Sequence, residues 1–239
     1  MKIIKIDIED EIYPKRLLKI KNCPISLYAL GNISLLNSIH TIGIVGARRC
    51  TDYGRKVTYD FSQKLSKYGI CIISGMALGI DAIANSTSVE EDGKTIAVLG
   101  SGFNYIYPKE NEWLFNKILN NGGCIISEYE PNVEPDLSKF PIRNRIISAL
   151  SDAMLVVEAE KRSGSNITAR YAKKEGKTIF AIPNNIYVAT GVGTNKLIKE
   201  GAILVTKPEE IMEELKINNN SSIKSSALSV AFSIDVLLE

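Results

Sequence analysis

The chain has one histidine, His40, in 239 residues, and that scarcity removes much familiar catalytic chemistry at once. A His-based metal centre, or Ser/His/Asp or Cys/His catalysis, would have to use that single side chain. It stands just before an expected strand and reads as a surface or strand-edge residue. The four cysteines, Cys23, Cys50, Cys71 and Cys124, lie far apart with no CxxC pair. That spacing argues against a zinc ribbon or a redox dithiol and fits buried thiols in a reducing compartment. No apolar run approaches the roughly 20 residues that span a bilayer, and the opening MKIIKIDIEDE alternates charge and isoleucine too closely for a signal peptide. A cytoplasmic location with no membrane partner is expected. The net charge is only +2, so the chain is not a uniformly basic nucleic-acid coat, and any polyanion site must be local. Nucleotide fingerprints are missing too. The first glycine loop reads GxxGxRR rather than GxGxxG, the second strand ends in Ser74-Gly75 rather than an acid, and nothing matches a P-loop.

What is present is enough apolar content, 45%, for one sizeable core. Apolar runs at Ile42–Val45, Ile70–Ile73, Thr95–Leu99, Cys124–Ile126, Ala153–Val157, Thr178–Ala181 and Ile203–Val205 predict strands. Between them, helical spacing is expected over Gly54–Tyr68, Ile80–Ser88, Asn111–Asn120, Arg143–Leu150, Asn166–Lys174 and Asn195–Lys199. A last helix, Pro208–Leu215, begins with a proline where the missing N–H costs least. Such alternation implies an α/β fold: a doubly wound, mostly parallel sheet with helices on both faces. Residues 1–40 read as a lead-in segment and 41–216 as the main domain. The polar stretch NNNSSIKSS opens a flexible tail at 217–239.

Open α/β sheets bind ligands beyond the carboxyl ends of their strands, and the loops there carry glycines and cations. GIVGARRCTDYG supplies Gly43, Gly46 and Arg48; SGMALGID supplies Gly75, Gly79 and Asp81, the last placed to cap the next helix; GSGFNYIYPKEN supplies Gly100, Gly102 and Lys109. These six glycines are candidate phosphate-loop positions, where backbone can approach an anion closely. The richest stretch is FPIRNRIISALSDAMLVVEAEKRSGSNITARYA, with Lys139, Phe140, Arg143 and Arg145 on one side of a strand and Ser163-Gly164-Ser165 on the other. The second group opens a helix, whose unpaired N–H groups and dipole suit a phosphate or carboxylate. A plain helix cap with solvated arginines remains an equal reading of this stretch alone. Arg49, Arg55 and Lys56 read as a solvated helix face, and Tyr53, Phe103 and Tyr105 as packing under loops. Glu128 and Glu158 are placed to orient neighbouring arginines, and no spacing demands a metal or cofactor.

The ordered series IVGARRCTDYG, SGMALGID, LGSGFNYIYPKEN, FPIRNRII, VVEAEKRSGSNITARYA and GTNKLIKEGA, with YPKRL and CPISLYALGN before it, resembles the DNA-processing protein A family, DprA or Smf, from about Ile12 to Leu215. The resemblance implies an extended Rossmann-like domain that binds single-stranded DNA, forms a homodimer and helps load the RecA recombinase during natural transformation, without catalytic turnover. Carried onto this sequence, the strand contacts would be Arg48, Lys109, Lys139, Phe140, Arg143, Arg145, Ser163, Gly164 and Ser165. Ile211 and Leu215 on the last helix are a hypothetical dimer surface, chosen by position. Two departures stand out: Pro183-Asn184 where Pro-Gly is usual, and Asn166 at a position expected to be apolar. The winged-helix-like and helical domains of many members are not expected in this length. The alternatives are a nucleotide-processing enzyme of the lysine-decarboxylase-like Rossmann group, whose PGGxGTxxE signature is absent from EKRSGSNITA, and a nucleotide-sensing module.

Overall fold

The computed structural model describes residues 1–217; the expected tail at 217–239 lies outside them except for Ile217. Nine strands form one sheet: β1 (Ile4–Asp7), β2 (Ser26–Gly31), β3 (Thr41–Val45), β4 (Cys71–Ser74), β5 (Thr95–Leu99), β6 (Cys124–Ser127), β7 (Ala153–Val156), β8 (Thr178–Ala181) and β9 (Ile203–Leu204). Their order is β1-β2-β6-β5-β4-β3-β7-β8-β9. Strands β3 to β9 run parallel, so their carboxyl ends share one edge. Every residue of β3, β4, β5 and β7 is buried, as parallel strands covered on both faces require.

Seven helices follow: α1 (Asp52–Lys67), α2 (Ile80–Glu90), α3 (Glu112–Asn120), α4 (Lys139–Leu150), α5 (Gly164–Lys174), α6 (Val192–Lys199) and α7 (Pro208–Glu214). Alternate strand residues serve opposite layers. Ile42, Ile44 and Ile72 pack with Phe61 and Leu65 of α1 and Ile80 and Ala84 of α2. Val45, Ile73 and Val156 pack with Ile146 and Ile147 of α4 and Ala169 and Ala172 of α5. The doubly wound class expected from the alternation is therefore the observed one. Helix α4 starts four residues before the expected Arg143, because Pro141 falls in its first turn, where no N–H is needed.

Residues 1–40 contribute two strands to this sheet. β1 pairs with β2, and β2 with β6, both antiparallel. Arg16 locks the segment down: its guanidinium donates to Ser38 O at 2.7 Å, to Ile39 O at 3.0 Å and to Asp152 Oδ1 at 2.8 Å. Asp152 in turn accepts from the Thr41 N–H at 2.8 Å, at the start of β3. Cys71 and Cys124 are buried, and burial pushes both thiols up to about 12; Cys23 and Cys50 are only partly buried.

The last helix corrects one expectation. Ile211 is fully buried with Phe61, Leu65, Phe180 and Val205, and Leu215 packs on the same cluster. A Lys64–Glu209 ion pair at 3.1 Å holds α7 to α1. These two side chains belong to the core rather than to a dimer surface, because α7 turns its apolar stripe onto α1. Replacing Ile211 with alanine should accordingly lower the unfolding free energy by about 2–5 kcal/mol in urea titration; an unchanged midpoint would contradict the core placement.

Candidate nucleic-acid interface

At the carboxyl edge of the sheet a cleft of about 380 Å³ opens between the loop after β3, the start of α4 and the loop between β7 and α5. Arg48 and Arg49 line it from the first loop and Arg162 from the last, all three exposed. Among the described residues none of the three has a carboxylate partner. Ser163, Gly164 and Ser165 form the adjoining wall. Ser163 is extended at the N-cap of α5, yet no side chain caps the first turn. Its hydroxyl instead shares a 2.7 Å hydrogen bond with that of Ser165. Beyond Gly164 the space is open. Asn166, at the position expected to be apolar, donates from Nδ2 to Glu160 O at 2.8 Å and Lys161 O at 3.3 Å, which pins the loop carrying Arg162.

Behind the rim sits Arg143, 4% exposed. Its guanidinium donates to Gly75 O at 2.8 Å and to Val98 O, and Nε donates to Asn144 Oδ1 at 3.2 Å. Burial lowers its pKa to about 10, opposed by the charge of Asp81. Asp81 is itself buried, and desolvation raises its carboxyl above the ordinary value against the pull of Arg143 and the Gly75 and Gly46 amides. Its Oδ2 accepts from the Gly75 N–H at 3.1 Å. Asp81 therefore staples the β4 exit loop rather than capping α2, whose N-cap is Gly79. Arg143 lines the cleft with Nε and Nη1 engaged by protein carbonyls, while Nη2 has no hydrogen-bond partner among the described residues.

The expected contacts thus divide. Arg48, Phe140, Arg143, Ser163, Gly164 and Ser165 meet in the cleft. Arg145 does not, contrary to expectation: it forms a two-pronged pair with Glu128 at 2.5 and 2.9 Å and donates to Asn22 O at 3.0 Å, facing the opposite side of α4. Glu128 orients an arginine as expected. Glu158 instead accepts from Thr51 N–H at 2.9 Å, Thr51 Oγ1 at 2.5 Å and Thr190 Oγ1 at 3.2 Å, fixing the start of α1 without an arginine. Lys109 is exposed on the loop after β5, and Lys139 at the start of α4 lies over the Tyr129 ring at 5.3 Å while donating to Glu134 O. Both stand beside the cleft rather than in it. Phe140 is 8% exposed: Arg48 lies over its ring at 5.8 Å and Tyr107 stacks on it at 5.2 Å and 29°. Tyr107, in the loop that carries Lys109, is not among the strand contacts implied by the resemblance. Phe103 packs inside against Phe115, whereas Tyr53 and Tyr105 remain partly exposed.

Residues 5–216 match the sequence model of a family described as DNA recombination-mediator protein A. The chain belongs to that family. It is 42% identical over 211 residues to Protein Smf of Escherichia coli, covering 88% of this chain and 56% of that protein, so it spans just over half of that relative's length. The X-ray structure of DNA processing protein A from Streptococcus pneumoniae superposes with a TM-score of 0.83 at 38% identity, over 90% of this chain and 75% of that one. A DNA processing protein A structure from Helicobacter pylori, reported for its single-stranded DNA binding mode, gives 0.80 at 33% identity, over 88% of this chain and 95% of that one.

The side-chain faces of the six loop glycines are closed by protein packing, and of the six only Gly46 lines the cleft. Gly43 lies inside β3 against Met154, Gly46 faces Ile80, Gly75 faces the Arg143 guanidinium and Gly102 faces the Glu130 and Pro131 carbonyls. Gly100 presents its bare face to the Phe140 ring, where a Cβ would come within 2.6 Å. Gly79 has φ +74° with the Ala47 and Arg48 carbonyls against it, so only glycine fits there. Protein packing fills each of these faces.

Replacing Arg143 with methionine would leave the buried Gly75 and Val98 carbonyls without that donor and remove a positive charge from the surroundings of Asp81, a loss expected to cost about 1–3 kcal/mol. The sign with pH follows from the raised Asp81 carboxyl. Below the ordinary carboxylate range Asp81 is neutral folded or unfolded; as pH rises the unfolded chain ionises first and the folded form resists, so stability is lost. The deficit of Arg143→Met against wild type should widen between about pH 4 and 7, and a pH-independent deficit in urea titrations would disprove the coupling.

Proposed function

We propose that this chain binds single-stranded DNA in the cleft at the carboxyl edge of its sheet, with little regard to sequence. One observation carries the reading: three exposed guanidinium groups without carboxylate partners share a cleft with the uncapped N-terminus of α5. Cations neutralise phosphates and release counterions, and free helix amides accept a further phosphate oxygen. The Helicobacter pylori relative studied for its single-stranded DNA binding mode supports the same ligand.

The reading extends to binding without catalysis. Of the two carboxylates lining the cleft, Asp81 accepts from the Gly75 amide, and Glu160 sits exposed at the rim. On this reading the protein is a cytoplasmic homodimer that holds incoming strands and hands them to the RecA recombinase. Two clefts on one strand would raise affinity through effective concentration. No helix among the described residues is long and apolar enough to cross a membrane.

Labelled single-stranded and duplex oligonucleotides, titrated at several salt concentrations, test the proposal. Preference for single strands is expected, with a log–log salt slope of about −0.7 per phosphate neutralised, weaker binding by Arg48→Ala and no effect of EDTA. Failure to bind single strands at low salt would reject it and favour a small nucleotide ligand.

A further inference from the structure

We infer that the molecule carries a second anion site, at the opposite edge of the sheet from the cleft, and that its ligand is a nucleoside polyphosphate. No residue lines both places, so the inference stands apart from the single-strand reading.

The site is a cavity of about 580 Å³ where residues 16–22 cross the ends of α4 and α5. Ser151 and Asp152 precede β7 there, and Lys177 precedes β8, so the floor is the amino edge of the sheet. Two bonds tie the crossing segment down: Arg145 Nε donates to Asn22 O at 3.0 Å, and Arg16 donates to Asp152 Oδ1 at 2.8 Å. Small-molecule sites run from about 300 to 1,000 Å³, and this cavity is of that size.

Six cations and two carboxylates line it. Pairing neutralises most of them: Arg16 is matched by Asp152, Lys177 by Glu175 at 2.9 Å, and Arg145 by Glu128 from outside the cavity. Lys19, Lys21 and Lys174 are left over, all exposed and, among the described residues, without a carboxylate partner. The ends of the two helices do not occupy these lysines either. Lys177 holds Ser148 O and Ala149 O of α4, and the Glu175 and Lys177 amides hold Tyr171 O and Ala172 O of α5. Three ammonium groups on flexible stems act as point charges, which suits adjacent phosphates better than the planar fork that selects a carboxylate.

Phosphates alone would cover only the lysine side of the cavity. Its remaining wall includes Ile20 and the half-buried Tyr171, whose hydroxyl bonds to no described group. Glu175 spends Oε2 on Lys177 and on the Ser148 hydroxyl, which leaves Oε1 as a free acceptor. An aromatic ring, an apolar side chain and an acceptor beside three cations match a heteroaromatic ring with hydroxyl or amino donors on a phosphate chain.

The test titrates the full chain calorimetrically with ATP, AMP and inorganic tripolyphosphate, at low salt in EDTA. ATP should bind tightest, AMP more weakly for its fewer charges, and tripolyphosphate more weakly for want of a ring. Lys21→Gln/Lys174→Gln should weaken ATP binding about ten-fold or more, and Tyr171→Leu should weaken ATP but not tripolyphosphate. Both variants should keep the wild-type thermal melt and the wild-type affinity for a labelled thymidine oligonucleotide, whereas Arg48→Ala should leave ATP binding unchanged. Absence of ATP binding at millimolar concentration would overturn the inference, as would equal ATP binding by wild type and the double lysine variant. Tripolyphosphate binding as tightly as ATP would remove the nucleoside, and a parallel loss of oligonucleotide binding in the lysine variant would make this surface part of the DNA path instead.

Discussion

A guanidinium in a protein interior keeps its charge only while its donors keep partners, and Arg143 meets that demand by drawing three elements together. Its bonds to Gly75 O, just past β4, and to Val98 O, within β5, anchor α4 across the carboxyl edge of the sheet. Asp81 completes the set by holding the Gly75 amide from α2. One turn before Arg143, Phe140 is thereby set down on Gly100, and the side of α4 carrying Phe140 and Asn144 becomes a wall of the cleft. The site's shape depends on this buried charge.

That separation recurs among the other cations. Arg16 holds the first forty residues to β3 through Asp152 and two carbonyls, Lys177 donates to Ser148 O and Ala149 O at the end of α4, and Arg145 is taken up by Glu128. Each donates to carbonyls or a carboxylate of the protein itself. Arg48, Arg49 and Arg162 have no such employment and share one cleft. A chain with net charge +2 can thus present a positive local surface, because the placement of these arginines, not the overall charge, sets the local field.

Much of the fold was legible because β3 to β8 are short apolar runs buried on both faces, a pattern that leaves few alternatives. β1 and β2 were not, since IKID and SLYALG are brief antiparallel additions whose half-exposed residues blur the signal. The candidate site was legible in its loops but not in the direction of its side chains. Arg143 and Arg145 stand two apart on α4, which at 3.6 residues per turn places them about 200° apart around the axis. They could never have lined one cleft, and helix geometry alone would have sent one of them elsewhere. The glycines are ambiguous for a related reason: a missing Cβ signals close approach, but not whether a ligand or the protein's own side chain approaches. Here Met154, Ile80, Arg143 and Phe140 do so.

The start of α5 shows how the cleft is left ready for an anion. Serine at an N-cap ordinarily turns its hydroxyl onto an amide of the first turn. Ser163 and Ser165 bond to each other instead, and Asn166 reaches back to the Glu160 and Lys161 carbonyls. The loop is rigid without the amides having been used. Uncapped amides and three neighbouring cations each raise the free energy of the empty protein slightly, through unsatisfied donors and like-charge repulsion. An anion that enters relieves both together, so a ligand with regularly spaced negative charges gains more here than a single ion could.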